Sequence, residues 1–284
     1  MKLRQTTVAW PHTRIVSRIA TGIACALLVA ACATTTSSTG RKQYVGALSS
    51  DQLNQLGTQA FLEAKNKKPQ TQDGKQSAYV RCVVDAIVAQ LPPQWRQTAW
   101  EEAVFVDAEP NAFALPGGKV GVNTGIFTVA RNQDQLAAVI GHEIGHVTER
   151  HHDERVTRQA MAQFGVNFAE VLVGSRYGNG AAQTTGQLGG AAAIGLFVLP
   201  NSRDQETEAD VVGQRLMAGA GFDPRQAVEL WRNMQQASSG NRPPKWLSTH
   251  PDPTSRIGAL QKRADGLVPA YEQARAAGRK PHCS

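Results

Sequence analysis

The hydrophobic and polar positions divide this chain into helices of period 3.6 and one stretch of period two. Ser49–Lys67 reads as a polar amphipathic helix capped by Ser50 or Asp51. Lys75–Leu91 predicts a second helix, with Val80, Val83, Val84, Ile87 and Val88 on one side and a stop at Pro92-Pro93. Ala103–Val106 predicts a short strand, and Asn111–Leu115, the turn Pro116-Gly117-Gly118 and Lys119–Asn123 predict two more. A long helix starts near Gln133 and runs past His152, with a second continuing to Val173. Residues 174–200 are rich in Gly and small side chains. Helices resume at Ser202–Ala220 and at Pro224–Ala237, the latter capped by Asp223 with Pro224 at its first position. The loop Ser239–Asp252 precedes one or two short helices. The sum is an α+β fold, predominantly helical, with one small sheet.

The N-terminus follows a different pattern. Ile19–Ala31 is apolar or small throughout, follows a basic segment, and is too short to span a bilayer, which takes about 20 residues. It reads as a secretory leader over residues 1–31. Leu28-Val29-Ala30-Ala31-Cys32 looks like a bacterial lipobox, so Cys32 is the expected site of lipidation and cleavage. Residues 32–45 then form the lipidated cysteine and a flexible polar tether, and 46–284 the folded domain. Export implies an oxidising compartment, where Cys82 and Cys283 are candidates for a disulfide that pins the tail. The net charge is +7, but Lys2, Arg4, Arg14 and Arg18 lie in the leader with no acid to balance them, leaving +3. With no basic stripe interleaved with aromatics, a nucleic-acid partner is not expected.

The chemistry sits at His142-Glu143-x-x-His146. The preceding segment Leu136–Gly141 is apolar nearly all round, which predicts a buried helix. Two imidazoles at i and i+4 project from one side of it, and burying them with Glu143 costs several kcal/mol unless a cation compensates. Zn²⁺ fits that requirement. The third ligand must come from elsewhere. In the acidic run Asp204, Glu206, Glu208, Asp210, the apolar line Ala209, Gly213, Leu216, Ala220 extends toward Glu206. Glu206 therefore points inward and Glu208 away, while Asp210 can accept a hydrogen bond from a ligand imidazole. Three protein ligands and an open corner mark a catalytic zinc, with Glu143 as the base that takes a proton from water.

The segments GHEIGHVTERH, SRDQETEADVVG and STHPDPTSRI, in that order, resemble the zinc metallopeptidases related to HtpX and the CAAX prenyl proteases. Among these the chain is most similar to the periplasmic lipoprotein branch typified by BepA and LoiP. The resemblance implies a zincin-like fold in which an edge strand precedes the active-site helix. It implies His142, His146 and Glu206 as zinc ligands, and Glu143, Asp210 and His250 as catalytic residues. By the same resemblance Asn111, Ala112, Phe113 and Ala114 would receive the substrate backbone by strand addition. His250 has two physically open roles: hydrogen-bond donor to the oxyanion, or removable occupant of the open zinc corner. Arg256 pairs either with the substrate carbonyl or with a nearby acid. His151 and His152, in a stretch that has turned charged, are expected to be solvated or to support the ligands from behind.

The function expected from all this is a zinc endopeptidase. The resemblance implies lipid attachment to the periplasmic face of the outer membrane, unfolded or misassembled envelope proteins as substrates, and the outer-membrane assembly machinery as a partner. The alternative is a chaperone-like assembly lipoprotein that binds exposed strands and cuts little.

Overall fold

The computed structural model describes residues 34–163, 200–237, 246, 249–250 and 253–284. The predicted leader with Cys32, the 164–173 end of the predicted second helix, nearly all of the Gly-rich 174–200 stretch and most of the 239–252 loop lie outside those residues. Among the described residues, no helix is long and apolar enough to cross a membrane.

Thr34–Thr36 (β1) and Lys42–Tyr44 (β2) pair antiparallel, with Thr34 opposite Tyr44. The turn between them closes through Gly40, whose positive φ of 90° suits a residue without Cβ. The polar tether expected here is thus a hairpin. It has little apolar surface to bury and is held by polar contacts instead: Ser38 N–H and Oγ donate to the Glu149 carboxylate at 2.9 and 2.7 Å. Gln43, fully buried, donates to the Glu149 carbonyl at 2.6 Å.

Ser50–Lys67 (α1) is capped by Ser49, one residue before the expected Ser50 or Asp51, because Gln52 closes a capping box with it. Gly74–Val88 (α2) is capped by Asp73 and ends three residues short of the predicted Leu91. Pro92 and Pro93 do not merely stop it; Pro93 opens a further short helix, Pro93–Arg96 (α3). Glu101–Phe105 (β3), Ala112–Leu115 (β4) and Lys119–Asn123 (β5) form a sheet in the order β3-β5-β4. β5 is central, parallel to β3 and antiparallel to β4, so β4 is an edge strand.

Gln133–Thr148 (α4) is capped by Asn132 and is buried from Gln135 to Val147, as an apolar helix must be. It does not run on past His152. The chain breaks at Glu149–Arg150, where Arg150 takes φ 56°, an unusual conformation for a side chain with Cβ. Residues 151–163 are helical again (α5).

Arg203–Ala220 (α6) starts at a Ser202 capping box with Gln205 and ends at Gly221, φ 87°. It crosses α4 closely: a Cβ on Gly213 would lie 2.8 Å from the His142 backbone nitrogen. Gln226–Ala237 (α7) begins two residues after the expected Pro224. Asp223 instead closes a local turn by accepting from Arg225 N–H at 2.9 Å. Pro253–Ala276 (α8) is one 24-residue helix rather than one or two short ones, and it continues through Pro269. A proline there forfeits one backbone bond on an exposed face, where water can replace it.

The core lies between α2, the inner face of the sheet, α4, α6 and α7, with Val80, Ile87, Val122, Ile140, Met217 and Met234 fully buried. Cys82 on α2 and Cys283 in the tail are joined by a disulfide.

Candidate metal centre and active site

α4 and α6 place the chemistry. Gly141 and Gly145 face Gly213 and Ala209 of α6 at near-contact distance, so the two backbones approach closely where His142, His146 and Glu206 project. One ligand-type atom from each of His142, His146, Glu206 and His250 lies within 4.8 Å of the others, and all four residues are buried.

His142 Nε2 and His146 Nε2 face each other at 3.0 Å. The Glu206 carboxylate lies 3.3 Å from the first and 3.4 Å from the second. Asp210 Oδ1 is 3.0 Å from His142 Nδ1. An ionised carboxylate only accepts, so the proton of His142 sits on Nδ1 and its Nε2 lone pair faces the cluster. His250 Nε2 is buried there without a hydrogen-bond partner. Converging lone pairs, a carboxylate and an orphaned imidazole nitrogen are a donor set that a divalent cation satisfies and that leaves polar atoms uncompensated otherwise. The electrostatics agree. Burial disfavours a charged His142, yet Asp210 and Glu206 outweigh it and raise the imidazolium to about 9. Burial likewise pushes the Glu206 carboxyl up, but His250, His142 and His146 hold it well below the ordinary range. Burial and the neighbouring His142 and His151 instead push the His146 imidazole well below its ordinary value, which keeps it neutral.

Glu143 projects beside the cluster rather than into it. Its Oε1 accepts from the Trp246 indole at 3.0 Å and lies 3.3 Å from His250 Nε2. Burial opposes its ionisation, but His250, His142 and Trp246 together keep it below its usual value, ready to accept a proton. His250 is held from the other side: its backbone N–H donates to the Trp246 carbonyl at 2.9 Å, and the Trp246 and His250 rings stack at 4.7 Å.

Arg256 pairs with acids. It donates to both oxygens of Asp210, at 2.8 and 2.6 Å, and to Glu206 Oε2 at 2.6 Å. Asn201 donates to the other Glu206 oxygen at 2.8 Å. Asn201 carries no signal in the sequence, since it lies at the rim of the Gly-rich stretch. Trp246 does carry one: an aromatic four residues before His250, on the same helical turn.

Of the two expectations for His151 and His152, solvent or support from behind the ligands, neither residue meets the first and His151 meets the second. His151 is fully buried, its Nδ1 2.7 Å from His146 Nδ1 and its Nε2 2.9 Å from Glu208 Oε2. His152 Nε2 donates to the Ala114 carbonyl on β4 at 2.9 Å. Glu208 does point away from the cluster, but into a buried network and not into water. Polar residues hid this because a charged stretch reads as a solvated face when only its composition is seen.

β4 runs along one wall of a groove of about 250 Å³ lined also by Glu143, His146 and His250. Ala112 and Ala114 are buried on one face, and Phe113 turns to the other, where it stacks on Phe105. Asn111 precedes the strand and its carbonyl accepts from Asn123 N–H at 2.9 Å.

The sequence profile of peptidase family M48 matches residues 74–264. Over 164 residues the chain is 37% identical to the mitochondrial metalloendopeptidase OMA1 of Schizosaccharomyces pombe, covering 57% of this chain and 46% of that protein. Over 233 residues it is 30% identical to the beta-barrel assembly-enhancing protease of Escherichia coli O157:H7, covering 80% and 46%. It therefore spans about half the length of the curated relatives it matches. The profile takes in α4, α6 and every member of the His142, His146, Glu206, His250 cluster, and the chain belongs to peptidase family M48.

Proposed function

We propose that this chain is a zinc-dependent endopeptidase. The convergence of two imidazoles from α4 and one carboxylate from α6 on a single buried point carries the reading. His142, His146 and Glu206 would hold the metal. Zinc in such a site supplies Lewis-acid chemistry, polarising a carbonyl and acidifying water. Glu143 accepts the proton of the attacking water and returns it to the departing amine, with Trp246 fixing the orientation of its carboxylate. Asp210 and Arg256 act by orientation: one locks the His142 tautomer, the other holds Asp210 and Glu206 together. His250 occupies the remaining corner as a resting latch, an assignment supported by its Nε2 lying among the ligand atoms.

The substrate would enter along β4, which among the described residues has a strand on one side only; its other edge, where His152 holds the Ala114 carbonyl, offers main-chain hydrogen bonds with little demand on side chains. That mode suits unfolded or misassembled envelope proteins. A relative whose name describes enhancement of β-barrel assembly supports the same class, with the outer-membrane assembly machinery as partner. A lipid anchor at Cys32 on the periplasmic face of the outer membrane completes the proposal.

Glu143→Gln tests it. The variant should bind zinc like the wild type and fail to fragment an unfolded protein such as casein, while the wild type cuts and stops on adding 1,10-phenanthroline. A Glu143→Gln protein that still supports the envelope in cells would favour the chaperone-like alternative.

A further inference from the structure

On the far side of the His146 ring a second chain of contacts leads out to the N-terminal hairpin. His146 Nδ1 meets His151 Nδ1 at 2.7 Å, and His151 Nε2 meets Glu208 Oε2 at 2.9 Å. Glu208 accepts in turn from Arg41 Nε at 2.9 Å and from the Thr39 hydroxyl. Arg41 is itself fixed by two bonds to Glu154, at 3.0 and 2.8 Å. We propose that Thr39 and Arg41, on the 37–41 turn, are positioning residues for the metal site, acting through Glu208 and His151 on the His146 imidazole.

The direction of the chain is set at its outer end. An ionised Glu208 can only accept, so the proton of His151 lies on Nε2 and its Nδ1 is bare. A bare Nδ1 can only accept, so His146 must donate from its own Nδ1. That leaves His146 Nε2 without a proton, facing His142 Nε2 and Glu206. The hairpin thus imposes on His146, at two removes, the tautomer that Asp210 imposes directly on His142. Arg41 and Thr39 hold the carboxylate in place within a buried network.

The backbone is bent to allow this. On an unbroken helix His151 would sit about 140° around from His146 and could not reach it. The left-handed Arg150 ends α4 and starts α5 so that His151 returns beneath the ligand.

The inference rests on the metal reading, and the test separates the two. Zn²⁺ affinity of the full-length protein is measured by competition with a chromophoric chelator, with Co²⁺ as a spectroscopic probe of geometry. The Thr39→Ala/Arg41→Ala double variant should bind Zn²⁺ about tenfold more weakly or worse, with shifted Co²⁺ bands. Thr39→Ala/Arg41→Lys, which restores the charge without the forked contact, should recover part of that loss. Ser38→Ala, which loosens the hairpin only at Glu149, should bind within about threefold of wild type, a loss smaller than the range expected for contacts that orient a ligand. Equal affinity in the double variant and the wild type overturns the proposal, as does an equally large loss in Ser38→Ala. If the double variant does not fold, Glu208→Gln carries the test. Its amide can accept or donate and no longer fixes the direction, so weaker Zn²⁺ binding is expected and parity overturns the relay. A wild-type protein that binds no Zn²⁺ overturns the metal reading and this inference with it.

Discussion

Arg256 grips Asp210 at two points, Nε on Oδ2 at 2.8 Å and Nη2 on Oδ1 at 2.6 Å, with both side chains buried. The same guanidinium reaches Glu206 and lies over the Trp231 ring at 4.0 Å. Arg256→Met would strand two buried carboxylates without their cation. In chelator-treated protein this should cost about 3–5 kcal/mol of stability in urea unfolding. Arg256→Lys should recover less than half, because an ammonium cannot make the two-point contact. A loss under 1 kcal/mol for Arg256→Met would contradict the role given to this residue.

His250 has opposite consequences under its two roles. As a latch, its loss opens the ligand corner, and His250→Ala should hydrolyse casein at least as fast as the wild type. As an oxyanion donor, its loss should slow turnover by about 100- to 1,000-fold. Steady-state rates at saturating substrate decide between them.

Gly213 has no side chain of its own, and a Cβ there would fall 2.8 Å from the His142 nitrogen and 2.9 Å from the Gly141 carbonyl carbon. The obstruction is backbone and cannot rotate away. Gly213→Ala should destabilise the fold by about 1–3 kcal/mol and weaken zinc binding with every ligand intact. Thermal unfolding and chelator competition report the two effects separately.

Acid should loosen the hairpin. Burial raises the Glu154 carboxyl, but Arg41 and Gln205 outweigh it and hold its folded-state pKa below the ordinary 4.5. A depressed folded value means that the pair contributes above pH 4.5 and that its contribution fades as pH falls through the lower folded value. The stability gap between wild type and Glu154→Gln should be present at pH 7 and close on acidification below 4.5. Urea midpoints across that range provide the measurement, and a gap that widened in acid would refute the pairing.

The parts of the site that were legible in the sequence are those written in helical period. His142 and His146 share a side of α4 because of their spacing, and Glu206 lies on the line of Ala209 and Gly213, which the structure shows pressed against α4. β4 and β5 were legible because Pro116-Gly117-Gly118 separates two short apolar runs. What stayed hidden was burial achieved by polar groups. Glu149, His151, Asp153, Glu154 and Glu208 are nearly inaccessible to water, yet each looks like surface in a one-dimensional reading. The partners of Glu149, Glu154 and Glu208 lie in the N-terminal hairpin, more than 100 positions away in sequence, and no periodicity connects the two. The break at Arg150 was invisible for a related reason: arginine carries no preference for a left-handed backbone, so only the tertiary contacts of His151 explain it.

The bond between Cys82 and Cys283 joins positions 201 residues apart. All of α4 and α6 lie inside the ring it closes. A molecule nicked once anywhere within that ring would not separate: its fragments would stay covalently attached and migrate together until a reductant parted them. Scission by a neighbouring protease, or by another copy of this one, would therefore go unseen on a non-reducing gel, and thiol would be what reveals it.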